Sequence, residues 1–157
     1  SVDMIEWVRR LHVIGATVLL GTGAGIAFFM VMAHKTRDPH IIAHTARIVV
    51  IADWIFTASA VIIQPITGVV LAEKIGWSLT EPWIAISIGL YIVTGAFWLP
   101  VVWIQKRLYK LARAAAATGT DLPDRYFRLF RIWFFSGFPA FFALLAIVWL
   151  MVARPII

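Results

Sequence analysis

The sequence predicts an all-α protein, a bundle of four transmembrane helices forming a single integral membrane domain over residues 1–157. Its residues are 62% hydrophobic and only 14% charged, and its mean hydropathy is +0.90, too apolar for a water-soluble domain of this size. Four stretches, near residues 8–33, 46–72, 83–104 and 132–153, each supply the ~20 mainly apolar residues that a helix needs to cross a hydrocarbon core of roughly 30 Å. Inside a bilayer an isolated strand would leave its N–H and C=O groups unpaired, so each stretch is expected to be helical.

The first stretch runs longer than the apolar region of a secretory signal and ends in His34, Lys35 and Arg37 without a small-residue cleavage site, so it reads as a retained helix. It carries Gly15, Gly21, Gly23 and Gly25. Gly21 and Gly25 have the four-residue spacing that lets two helices approach closely, either inside the bundle or at the seam of a homodimer. The second stretch contains Asp53, Gln64 and Pro65, and the third contains Pro100. Residues 105–117 after the third are rich in helix formers and alternate basic with apolar positions, which extends that helix to about residue 117 and makes Gly119 its stop. Asp121, Pro123 and Asp124 read as the start of a fourth helix over 122–153, with a capping side chain and a first-turn proline. Pro65, Pro100 and Pro139 each remove a backbone donor and free a carbonyl about one turn earlier.

Ten of the fourteen basic residues surround the first and third loops: Lys35, Arg37, Arg47, Lys106, Arg107, Lys110, Arg113, Arg125, Arg128 and Arg131. Basic residues near helix ends stay cytoplasmic, which predicts both termini outside, with Arg9 and Arg10 pulling the other way. The tryptophans fit the same layout, Trp7, Trp77, Trp83 and Trp149 towards the outer ends and Trp54, Trp98, Trp103 and Trp133 towards the inner half. The net charge of +6 then reflects loops beside anionic lipid, and no nucleic acid is expected as a partner. Without cysteine there are no disulfides, thiolate metal sites or cysteine nucleophiles. No phosphate-binding loop, zinc-binding histidine pair or nucleophile beside a base is present.

Polar residues inside a span need a partner or a purpose. His12 lies towards the outer side of the first helix, Asp53 towards the inner side of the second, and Gln64 in the outer half of the second; they are not expected to form one cluster. Asp53 is expected either to pair with a basic residue at its level, Arg47, Arg128 or Arg131, or to serve a proton or solute path. His12 is the one histidine placed inside a span. A neutral imidazole there either binds haem iron through one nitrogen or bonds to a neighbouring helix. Gly15 and Ala16, three and four residues on, share its helical face and would leave room for a flat macrocycle. Met151, or His12 of a second copy, is a candidate for the other axial position.

The stretches Leu11-His12-Val13-Ile14-Gly15, residues 21–30, Ala52-Asp53-Trp54-Ile55-Phe56-Thr57, Gln64-Pro65-Ile66-Thr67-Gly68 and residues 98–103 resemble the bacterial integral membrane family catalogued as domain of unknown function 2269. The resemblance covers essentially the whole chain, implies the bacterial inner membrane, and carries no activity with it. More distantly, Leu11-His12 is similar to the haem-associated histidine of HemJ-type protoporphyrinogen oxidases within a wider group that includes CopD-like proteins. That similarity implies haem b at His12, whereas the third-helix lysine of HemJ-type proteins has no counterpart in residues 83–104. The expected function is redox-related, with electrons exchanged with a quinone, a porphyrin or another membrane subunit. The alternatives are a non-catalytic assembly or accessory subunit and a small transporter using Asp53.

Overall fold

The computed structural model describes residues 2–154 and, among them, consists of helices joined by short turns, with no strand. Helix α1 is Val2–Lys35, α2 is Pro39–Ile75, α3 is Pro82–Thr118 and α4 is Asp124–Ala153. All four are long and apolar enough to cross a membrane. The chain ends, on which the expectation of an outer location falls, lie outside the described residues.

Helix boundaries follow local chemistry. Helix α2 begins seven residues before the apolar stretch, because Asp38 caps it by accepting from the His40 N–H at 2.9 Å and Pro39 occupies the first turn. Its first two turns carry His40, His44 and Arg47 on an exposed face, so hydropathy alone places the start too late. Helix α4 begins at Asp124 with Pro123 in extended conformation before it and no side-chain cap, so Asp121 does not have the capping role expected of it. The stop expected at Gly119 holds, at φ 66°, and Gly76 at φ 93° ends α2 with the same left-handed turn, which the sequence reading had not named.

A short π-helical segment, Asp53–Thr57, interrupts α2. On the amino-terminal side of this segment α2 packs chiefly against α3, and on its carboxy-terminal side against α1, while α3 lies along α4. Buried apolar residues accordingly gather at two levels. The larger cluster sits towards the end bearing the basic loops and includes Met30, Ile42, Leu108, Ala112, Tyr126 and Phe130. The smaller, at the far end, consists of Trp83, Ile84 and Leu150 with Trp77, Leu90 and Met151 against it. Broad apolar surfaces remain exposed, among them Phe28, Ile62, Ile92, Leu99, Phe135 and Phe142, as the outer wall of a bundle dissolved in lipid requires. Lys106 lies over the Trp54 ring and Arg107 over Trp103, each 5.1 Å from the ring centre, which seats two cations and two indoles together at the basic end. Trp83 and Trp133 are buried within the bundle.

Gly21, Gly23 and Gly25 of α1 do not serve close packing inside the bundle. A Cβ placed on Gly21 or Gly23 would meet nothing within 4 Å, and one on Gly25 would meet only Phe29 of the same helix.

Candidate functional site

Two short runs on facing helices build a site at the α1–α2 contact away from the basic end. On α1, His12, Gly15 and Ala16 follow the three- and four-residue spacing that places them on one face. On α2, Gln64, Thr67 and Gly68 repeat that spacing. The Nδ1 of His12 lies 2.6 Å from the Thr67 hydroxyl. That hydroxyl donates back to the Ile63 carbonyl at 2.9 Å and lies 3.2 Å from that of Gln64. A hydroxyl has one proton. With it directed to the helix backbone, the oxygen can accept from His12 Nδ1–H, the tautomer that would leave a lone pair on Nε2. Gly68 is what admits the ring, because a Cβ there would stand 3.3 Å from His12 Cε1.

The notch at Gly15 is already filled. A Cβ on Gly15 would stand 2.3 Å from Gln64 Oε1, so the space expected for a macrocycle at Gly15 and Ala16 holds the Gln64 side chain. Its amide oxygen is buried with no hydrogen-bond partner. Gln64 therefore shares the α1–α2 contact with His12, because the three- and four-residue spacing presents Gln64, Thr67 and Gly68 together towards α1, while Asp53 lies apart from both. Met151 packs against the Trp83 cluster on the α3–α4 side.

Asp53 belongs to a second site, 14 residues from Thr67 along α2 and so ~21 Å away at 1.5 Å per residue. It is 5% exposed. The Thr57 hydroxyl donates to its Oδ1 at 2.8 Å and the Gln105 amide nitrogen donates to its Oδ2. Gln105 in turn accepts from the Trp133 indole N–H at 2.9 Å, completing a buried chain across α2, α3 and α4. The expected partnership with Arg47, Arg128 or Arg131 is not found. All three arginines are exposed, since long cationic side chains hold their heads in water or at the headgroups. Arg47, expected among the buried polar groups, is corrected on the same ground.

A third polar contact went unread in the sequence. His34, near the end of α1, stacks on Phe130 with ring centres 3.6 Å apart and places its Nδ1 3.0 Å from the Tyr126 hydroxyl. No motif announces it, because the partners lie 92 residues apart in sequence. Among the described residues no group of three or more histidine, cysteine, aspartate or glutamate side chains is arranged to hold a metal ion.

Four apolar spanning helices tied by a few internal polar contacts define an integral membrane protein. The chain belongs to the DUF2269 family, described as predicted integral membrane protein, whose model matches residues 6–155. No curated protein and no solved structure matches it.

Proposed function

We propose that this protein binds haem b through His12 and serves electron transfer with a quinone, a porphyrin or a partner membrane subunit, in the bacterial inner membrane. The observation that carries the reading is the 2.6 Å contact of His12 Nδ1 with the Thr67 hydroxyl, which can accept an Nδ1–H. Ligand histidines are fixed in just this manner, one ring nitrogen donating to a protein acceptor while the other offers its lone pair to the metal. Bound haem would supply one-electron chemistry; the chain's own part is to hold the imidazole, set its tautomer and exclude water. His12 would hold the iron. Gln64 is the obstruction, but its amide oxygen has no partner to lose, so a shift of that side chain breaks no hydrogen bond there. His12 of a second copy is the proposed source of a second iron ligand, since Met151 packs against the Trp83 cluster.

The test is an absorption spectrum of detergent-purified protein, oxidised and reduced, from cells amply supplied with haem. A b-type spectrum is expected, and His12→Ala is expected to abolish it while helical circular dichroism is retained. Absence of any haem absorbance in the wild type overturns the reading and leaves His12 a structural bond between α1 and α2. A second reading, an assembly or accessory subunit, is favoured by the outward-facing open positions at Gly21 and Gly23. The transporter reading gains nothing from Asp53, both of whose oxygens are engaged by Thr57 and Gln105.

A further inference from the structure

Without its π-helical segment, α2 would carry one continuous inward stripe. Val49, Asp53, Thr57, Ala60, Gln64 and Thr67 follow one another at steps of three or four residues, the spacing that keeps side chains on one face of an α-helix. The structure divides that stripe. Before the segment α2 packs chiefly against α3, where Asp53 meets Gln105; after it, Gln64 and Thr67 meet Gly15 and His12 of α1. The cause is one additional residue, since the Ala58 N–H reaches back five residues to the Asp53 carbonyl where an α-helix reaches back four. At 3.6 residues per turn an extra residue rotates everything after it by ~100°. That rotation carries Gln64, Thr67 and Gly68 from the α3 side of the helix to the α1 side.

The side chains that hold the extra residue are those of the Asp53 tie. Asp53 and Thr57 are the first and last residues of the π segment and bond each other, and Gln105 with Trp133 anchors Asp53 to α3 and α4. We propose that this tie is a register switch that sets the His12 contact from ~21 Å away. While it holds, α2 keeps the π segment and turns Gln64 and Thr67 to α1. When it is released, the extra residue is taken up into an unbroken α-helix, and the face of the second half moves by one position, so that Ile63 and Ile66 replace Gln64 and Thr67 against α1. Both isoleucines now lie exposed on the outside of the bundle, which makes the alternative contact an apolar one, and Gln64 and Thr67 would rejoin Asp53 on one face. The turn at residues 76–81, with Gly76 at φ 93°, is where the rotation would be absorbed. The coupling is independent of what His12 binds.

The chain has no cysteine, so introduced pairs report the register without background. A Cβ on Gly15 would stand 3.6 Å from Gln64 Cγ, the atom whose place a cysteine sulfur takes, which is within disulfide reach. On oxidation of the full chain in membranes, Gly15→Cys/Gln64→Cys is expected to crosslink and Gly15→Cys/Ile63→Cys is not. Adding Gln105→Leu to each pair is expected to shift the ratio of the two crosslinks towards Ile63 by about five-fold or more, as the loss of one buried hydrogen bond would give. Thr57→Val, which removes the other donor to Asp53, is expected to act in the same direction and decides alone should Gln105→Leu fail to fold. Deleting Ile55, an exposed residue of the π segment, removes the extra residue and leaves both faces where they are, so there the crosslink to Gln64 is expected to survive Gln105→Leu. An unchanged ratio in the Gln105 and Thr57 variants overturns the proposal. So does loss of the Gln64 crosslink with no gain at Ile63, which would be general loosening, and so does an equal effect of Gln105→Leu in the deletion background, which would place its action outside the π segment.

Discussion

At the scale of single residues, the site at His12 depends on two positions having no side chain. Gly68 lets the imidazole lie against α2, and Gly15 lets the Gln64 amide lie against α1. The two are not equally tolerant. A methyl group on Gly15 meets the far end of a flexible glutamine that holds no hydrogen bond at its oxygen, so Gly15→Ala is expected to cost no more than about 1 kcal/mol, the low end for overpacking. Combined with Gln64→Ala, that cost is expected to vanish, and a double-mutant cycle read by unfolding in mixed micelles checks it. Additive effects of the two substitutions would show that the contact does not govern the site. His12 itself was legible as a polar residue in an apolar span. Its partner was not, because a threonine inside a helix ordinarily bonds its own backbone, and Thr67 does that as well as meeting His12.

At the scale of helices, each internal proline poses the question of what satisfies the carbonyl it frees. For Pro65 the carbonyl four residues back is that of Val61, and the Tyr91 hydroxyl of α3 donates to it. Tyr91→Phe is thus expected to destabilise by about 0.6 to 1.7 kcal/mol, the span seen for polar contacts between membrane helices. In a Pro65→Ala background the restored N–H can take that carbonyl, and the loss should fall to near zero; equal losses in both backgrounds would contradict the assignment. The tie at Asp53 has a graded expectation. Gln105→Leu strands both the Trp133 N–H and the Asp53 Oδ2, whereas Asp53→Asn keeps an oxygen towards Gln105 and turns its amide to Thr57, whose hydroxyl can accept. Gln105→Leu should cost ~1 kcal/mol or more beyond Asp53→Asn, given that unpaired buried groups cost ~1–3 kcal/mol each; the order of the midpoints in SDS titration tests it. Helix number and the stop at Gly119 could be read from the sequence, since they rest on local hydropathy and backbone freedom. The start of α2 was written there too, in Asp38-Pro39, but the polar His40, His44 and Arg47 face masked it. Gln105 gave no signal of its own, standing next to Lys106 and Arg107 at the edge of its apolar stretch while its amide turns inward to Asp53 and Trp133.

At the scale of the whole molecule, the ends of the bundle differ in construction. The carboxy-terminal end of α1, the start of α2, the end of α3 and the start of α4 meet in the larger apolar cluster, and ten of the fourteen basic residues surround it. His34, Tyr126 and Phe130 join α1 to α4 there, and Arg37 lies over Phe127 at 4.8 Å. The far end holds the smaller cluster around Trp83 and a single lysine, Lys74, in the last turn of α2. Because cationic side chains oppose translocation while the carboxylates contribute little, the heavily basic end is expected to remain cytoplasmic. The basic side chains of the α3–α4 turn outnumber Arg9 and Arg10 near the start of α1 and are backed by the well-packed core, so they should set the orientation. A phosphatase reporter fused after Ile157 is accordingly expected to be active on the outer side of the membrane, and one inserted at Thr118, in the turn after α3, to be inactive. Neutralising Arg9 and Arg10 should leave that pattern unchanged. Activity of the Thr118 fusion with silence at Ile157 would invert the bundle, placing His12 at the cytoplasmic side and the basic end of the bundle at the outer side.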